Sequence, residues 1–375
     1  MSTMMIAERS SSGHRLVYVR LLAEHAMRNQ VDVILAMPDA VRGSLEYSRH
    51  LGRMARLVEH VSISPSASLV HLRGLAESSG ARDLVIPDGD LYVAEAAYAR
   101  RRPRSRTPRA RTTLLIMRDP RWELSASRVP RWRALAKLAA LRLVQVRSDT
   151  RLVWLRDPGF IPRVDEEEAP DPLVLDAPRE AIIGDARSYR IVHGLDRDTF
   201  WFGIVGMLTE RKNVPIVAEA VRRVAFDSAT PLGLALIGPT GPDATWERAA
   251  LQKECESAGV RFVSDEALMS NYEMNVAVAA VDCVVVAYST HAPNSTMAKA
   301  AGLGVRLVVA GSPPMRRFAQ SVSGTRGVPL DLRSLTAALR AATKAGPPRV
   351  RDLAGPSEFA AAVLGAAHSP TDASA

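Results

Sequence analysis

Residues 201–225 read WFGIVGMLTERKNVPIVAEAVRRVA, and the fold turns on how they are taken. Residues 201–205 are a short, β-forming apolar run bounded by a turn signal, which predicts a strand rather than a helix. Gly203 and Gly206 allow a sharp turn and a close approach of backbone to a neighbour. Residues 214–225 then take up a helical period. Strand, glycine turn and helix make one βα unit, and such units in series build a parallel sheet.

Working outward, the rhythm repeats. In the second half, strands are expected at 232–237, 260–263, 282–286 and 307–309, with helices at 244–257, 267–280, 295–301, 335–344 and 356–366. In the first half, strands are expected at 4–7, 31–37, 84–87, 112–117, 144–146 and 152–155, with helices at 15–28, 45–58, 67–78 and 131–141. Between the halves, Asp165, Glu166, Glu167, Glu168 and Asp171 alternate with Pro170, Pro172 and Pro178, a composition suited to an exposed, solvated linker. The chain of 375 residues suits two domains. The expected division is an N-terminal domain over 1–163, a linker region over 164–195, a C-terminal domain over 196–368 and a frayed tail over 369–375.

Composition narrows the class. Hydrophobic residues at 47% and charged residues at 24% are those of a globular protein. No apolar run approaches the ~18 residues that span a bilayer, and the N-terminus lacks the pattern of a signal peptide. Cys255 and Cys283 cannot form a disulfide framework, and no Cys/His spacing suggests a metal site. The expectation is a cytoplasmic protein. A net charge of +9 predicts attraction to anions. Arg100, Arg101, Arg102, Arg104, Arg106, Arg109 and Arg111 crowd one stretch. That stretch reads either as a solvated loop or as a contact for anionic lipid headgroups at the inner face of a membrane. Nucleic acid ranks last, because no aromatic residues interleave to stack bases.

Ligands of open parallel sheets bind beyond the carboxyl ends of the strands, and two loops of the second half stand out there. The first runs from Gly203 through Gly206 to Arg211, Lys212 and Asn213, placing a guanidinium and an ammonium before a helix, a pair suited to sharing a diphosphate. The second, Tyr288-Ser289-Thr290-His291-Ala292-Pro293-Asn294-Ser295-Thr296, offers Asn294 or Ser295 as an N-cap and a helix N-terminus whose amides bind anions. Taken singly, each has a plainer alternative, two surface cations in a turn and a helix cap. Taken together at one sheet edge, they describe a diphosphate cradle.

In these loops, and in the order of the segments over 201–310, the sequence resembles the GT-B glycosyltransferases of family 4. The resemblance implies two Rossmann-like α/β domains with parallel sheets facing an interdomain cleft. It implies transfer of a hexose-type sugar, with retention, from a nucleoside-diphosphate sugar to a glycan, lipid-linked or metabolite acceptor, as in polysaccharide biosynthesis. The nucleotide sugar is a co-substrate, and neither cofactor nor metal is expected. By this resemblance Lys212 contacts the donor diphosphate, and Gly206, Arg211, Ser289, Asn294, Ser295, Thr296 and Lys299 join it on the donor side. Gly13 and His14 lie on the acceptor side, where His14 is either a local hydrogen-bonder or a base. Catalytic roles fall to His14 and Lys212. Two departures stand out. Met207 replaces the arginine that follows the second glycine, leaving Arg211 to supply the charge. The family's two glutamates around the phosphate loop fall near His291 or Ala292 and at Lys299. Their loss keeps open a non-catalytic partner or regulatory protein of the same fold. A nicotinamide-dependent oxidoreductase is disfavoured, because neither Gly13 nor Gly203 and Gly206 form the GxGxxG pattern.

Overall fold

The computed structural model describes residues 2–11, 15–98, 110–123, 131–147, 150–156, 167–289, 295–322, 325–346 and 348–365. Two compact units emerge, each built on one sheet. The first holds the chain up to Arg156, the short return ending at Asp171, and the chain from Gly355 onward; the second is centred on Pro172–Ala354.

The first unit carries β1 (Ser2–Ala7), β2 (Val31–Met37), β3 (Glu59–Ser62), β4 (Asp83–Ile86), β5 (Arg111–Ile116), β6 (Thr150–Arg156) and β7 (Glu168–Pro170). They lie side by side as β3-β2-β1-β4-β5-β6-β7, all parallel. The second unit carries β8 (Phe200–Val205), β9 (Leu232–Ile237), β10 (Arg261–Asp265), β11 (Cys283–Ala287), β12 (Arg306–Ala310) and β13 (Thr325–Val328). Their order is β10-β9-β8-β11-β12-β13, again all parallel. In each sheet the chain first winds outward on one side, then crosses back to the other side of its starting strand. The switch points lie between β1 and β4 and between β8 and β11.

Burial on both faces explains why the central strands read as unbroken apolar runs. Along β8, Trp201 and Val205 enter one core while Phe202 and Ile204 enter the core on the opposite face. Trp201 fits against β9 because Gly233 leaves room: a Cβ there would overlap the indole ring. The Trp201 N–H donates to Asp282 Oδ2 at 2.9 Å, and Arg190 pairs with the same carboxylate at 3.4 Å. Asp282, in a segment that resembles the family, is therefore a structural clamp at the amino end of β11.

The structure redraws several expectations. Residues 144–146 continue the helix Arg131–Arg147, with Leu141 and Val144 buried on one face of it. The acidic stretch is not wholly solvated linker. Glu168–Pro170 forms β7 at the sheet edge, Ala169 is fully buried, and Asp171 accepts a 2.8 Å hydrogen bond from the Tyr18 hydroxyl. Residues expected in the linker up to 195 include the helix Arg179–Val192, part of the second unit. The last helix, Pro356–Leu364, expected within the second domain, packs in the first unit. There Phe359 meets the Tyr18 ring at 5.1 Å, and Arg151 Nη2 donates to the Ala362 carbonyl at 2.9 Å. One buried aromatic and a set of free helix-end carbonyls suffice to fix its allegiance. The tail over 369–375 lies outside the described residues.

Candidate functional site

The second unit's switch point assembles the glycine loop and the loop after β11. Strands β8 and β11 are direct neighbours, with Phe202 opposite Cys283 and Gly203 opposite Val284, so both loops leave the same edge. Beyond β8 the backbone turns at Gly206, whose φ of 88° is a conformation that side chains disfavour. Gly238, at the end of β9, approaches so closely that a Cβ on it would lie 2.8 Å from the Gly206 carbonyl oxygen.

A short 3-10 turn, Glu210–Lys212, follows, and Asn213 takes a left-handed conformation (φ 49°, ψ 44°) that asparagine tolerates better than most residues. The Asn213 side-chain amide donates to the carbonyls of Arg211 and Ala287, each at 2.8 Å. The Ser289 N–H donates to the Arg211 carbonyl at 3.0 Å. These bonds tie the cationic turn to the end of β11. Arg211 lies over the ring of buried Tyr288, 4.9 Å from its centroid, which holds the guanidinium in one place.

Lys212 is 4% exposed. Its Nζ donates to the Val205 carbonyl at 2.6 Å and sits 3.4 Å from where a Gly206 Cβ would be. Burial, with the Arg211 charge as a lesser cause, pulls its pKa from 10.5 to about 7. A lysine held this way near neutrality gains its full charge when an anion arrives.

Of the helix expected to bind phosphate, Ser295–Leu303 is described. Ser295 is half-buried and Thr296 buried at its first turn. Asn294 lies outside the described residues, as do Gly13 and His14 in the first unit and the arginines from Arg100 to Arg109. Lys299, expected among the phosphate-side cations, is turned elsewhere. It is 1% exposed, and its Nζ donates to the Val174 carbonyl at 3.0 Å, Asn271 Oδ1 at 2.7 Å and Asn275 Oδ1 at 2.5 Å. Three uncharged acceptors satisfy the donors of this buried ammonium, and through Val174 it fixes the chain entering this unit. Met207, in place of the family's arginine, is about half exposed.

Sequence reading passed over Glu210, which accepts from the Thr245 N–H and hydroxyl at 3.2 and 3.1 Å and braces the turn from β9's side. It also passed over the acids at the ends of β1 and β4, Glu8 and Asp88, both buried. The signal was present: an acid at a strand's carboxyl end at a switch point.

By sequence the chain matches no family model and no curated protein. By structure it is similar to sucrose-phosphate synthase from Thermosynechococcus elongatus, at TM-score 0.62 and 13% identity over 92% of this chain and 90% of that one. It is similar to Anabaena HepE in complex with UDP and glucose, at TM-score 0.61 and 14% identity over 98% of this chain and 95% of that one. It is also similar to WaaG, a glycosyltransferase involved in lipopolysaccharide biosynthesis, at TM-score 0.57 and 13% identity over 92% and 90%. Two Rossmann-like parallel sheets joined in this order, matched over nearly the whole chain, give the protein the GT-B fold.

Proposed function

We propose that this chain is a glycosyltransferase that moves a sugar from a nucleoside-diphosphate donor held at the second unit's switch point. The observation that carries the reading is Lys212, a basic amine buried against Gly206 with Arg211 beside it, at an edge where two loops are hydrogen-bonded together. As the bond between sugar and phosphate breaks, negative charge grows on the leaving diphosphate. Cations held against the bound diphosphate stabilise that state more than the ground state. Lys212 and Arg211 supply charge to the diphosphate, Gly206 lets it approach the backbone, and the first turn at Ser295 and Thr296 offers N–H donors. A UDP-bound relative of the same fold supports a nucleotide sugar as the partner. Transfer from a panel of UDP-, GDP- and ADP-sugars, with the variant carrying both Arg211→Ala and Lys212→Ala, tests this. Turnover should fall at least about hundredfold, the scale for losing preorganised charge stabilisation; undiminished turnover refutes it.

One observation favours a second reading, a non-catalytic relative. The position of the family's second glutamate holds Lys299, locked into the fold by Val174, Asn271 and Asn275. Calorimetry with UDP, GDP and ADP separates the two, because the donor reading requires one of them to bind.

The first unit supports a place at an anionic membrane surface. The helix Arg131–Arg147 leaves Trp132, Leu135 and Val146 largely exposed, flanked by exposed Arg131, Arg133 and Arg142. Apolar anchors with basic neighbours suit the headgroup boundary of acidic lipid. Among the described residues no helix is long and apolar enough to cross a membrane. Sedimentation with phosphatidylglycerol vesicles, lost in Trp132→Ser with Leu135→Ser, is the expected result; equal recovery with phosphatidylcholine vesicles speaks against it.

A further inference from the structure

The amino edge of the second sheet holds a cavity for which the donor reading has no use. It has a volume of about 220 Å³ and opens between the end of the helix Arg179–Val192 and the loop that leads into β8. An apolar cavity of about 150 Å³ holds a benzene ring, so this one has room for a ring or a short branched chain. Leu195, 1% exposed, and Ile191, 77% exposed, give it apolar walls. Gly194 adds open space, since its φ of 71° favours glycine and a Cβ there would meet no atom within 4 Å.

Hydrogen bonds fix the loop that forms the recess. Arg190 donates to the Leu195 carbonyl at 3.2 Å and to the Asp196 carbonyl at 2.9 Å, and the Trp201 indole N–H donates to the latter at 3.1 Å. The recess therefore stands ready before any ligand arrives, which spares binding the cost of ordering it.

The charges around it are not all matched. Arg190 is paired with Asp282 at 3.4 Å, and Asp196 with Arg261. Arg187 and Arg197 also line the recess, both exposed, and neither has a hydrogen-bond or ion-pair partner among the described residues. Arg187 precedes Ile191 by four residues, so a cation and an apolar side chain share one helix face. A guanidinium fork matches a carboxylate or a phosphate, and an apolar recess takes the body that carries it.

The geometry points to a second binding site in this unit, for a small oxyanion on a ring-sized apolar body, with Arg187 and Arg197 on the anion and Ile191 and Leu195 against the body. The six residues of β8, roughly 20 Å of strand, separate it from the turn at Gly206. The site is therefore independent of the donor reading.

The test is calorimetric titration of the full chain, at low ionic strength and without nucleotide, against phenylacetate, hexanoate and phenyl phosphate. At least one should bind wild type and Lys212→Ala alike. Acetate, which lacks the body, and phenylacetamide, which lacks the charge, should each bind at least about tenfold more weakly. The variant carrying both Arg187→Gln and Arg197→Gln should also lose about tenfold, the scale for one charge-assisted hydrogen bond. Ile191→Ser should lose a few-fold, because it removes one apolar wall. All three substituted side chains are exposed, so thermal melting should not change. The inference is overturned if none of the three anions binds, if either variant binds as wild type does, or if Lys212→Ala abolishes binding and so places the anion at the donor edge. Loss of sugar transfer in Lys212→Ala with this binding intact shows each reading standing or failing on its own.

Discussion

At the switch point of the first sheet the chain leaves β1 through Glu8 and passes β4 toward Asp88 and Tyr92; at that of the second it leaves β8 through Gly206 and reaches Arg211 and Lys212 beside the end of β11. The two edges share their backbone plan, and a handful of side chains give them opposite chemistry. Each buries a group whose ionisation burial shifts, and the two pKa values move toward the same point from opposite sides, Glu8 up to about 7 and Lys212 down to about 7. Desolvation penalises whichever form is charged, so an acid and a base in like surroundings meet near neutrality. A fold copied twice in one chain thus places a buried acid at one sheet edge and a buried base at the other.

The largest consequence lies on the basic side. The folded-state pKa of Lys212 is depressed, so its contribution to stability is present above the unfolded value of 10.5 and is lost as pH falls through about 7. At ~1.4 kcal/mol for each pH unit, the window from 10.5 to about 7 is worth roughly 5 kcal/mol. Urea unfolding of wild type and Lys212→Met, compared from pH 7 to 10, should show wild type gaining on the variant as pH rises. A constant difference across that range would mean Lys212 is not buried as described.

The acidic side should respond in the opposite sense and somewhat less. Glu8 has a raised folded-state pKa, so its contribution is present below 4.5 and is lost as pH rises through about 7, some 3 kcal/mol in all. The Asp88 charge adds to the shift, and Arg15 opposes it. Wild type should therefore lose stability relative to Glu8→Gln between pH 4.5 and 7, in the window adjoining that of Lys212. If both variants drift in the same direction with pH, the contrast between the two edges is broken.

How much of this contrast the amino-acid order revealed differs between the edges. On the basic side, Gly206, Arg211 and Lys212 sit within one βα turn, so their juxtaposition is local and could be read directly. The same holds for β2, predicted at 31–37 and found at Val31–Met37, whose unbroken apolar run follows from burial on both faces. Edge strands left no such trace. Glu59-His60-Val61-Ser62 pairs only with β2, keeps polar side chains, and resembles a loop in composition. Glu168–Pro170 was hidden in a run of acids that reads as solvated. The position of Lys299 is not legible locally, because its partners Asn271, Asn275 and Val174 come from distant segments that no local pattern announces. The acidic edge has the same character: Glu8 and Tyr92 are far apart in the chain and come near each other through the pairing of β1 with β4.

A smaller effect, but one more specific to the basic edge, concerns protons. A bound diphosphate restores the charge of Lys212, so binding should draw a proton from solution. At pH 8, calorimetry of the stabilising nucleoside diphosphate in two buffers of different ionisation enthalpy should report uptake of about one proton. Lys212→Met should show none, and Glu8→Gln should match wild type. Uptake that follows Glu8 instead would tie the nucleotide to the wrong edge.

The smallest expected effect asks what keeps Arg211 in place. Its guanidinium lies over the Tyr288 ring, and such a contact is worth about 0.5–1 kcal/mol where partly exposed. Tyr288→Leu removes the π face while filling much of the same buried volume; Tyr288→Phe keeps the face. Affinity for the nucleoside diphosphate should therefore drop a few-fold in the leucine variant relative to the phenylalanine one, with Lys212 titrating alike in both. Equal affinities would assign the position of Arg211 to the backbone instead, through its carbonyl, which accepts from both Asn213 and Ser289. The ring would then serve only the core, where Tyr288 is already buried among the residues packed around β11.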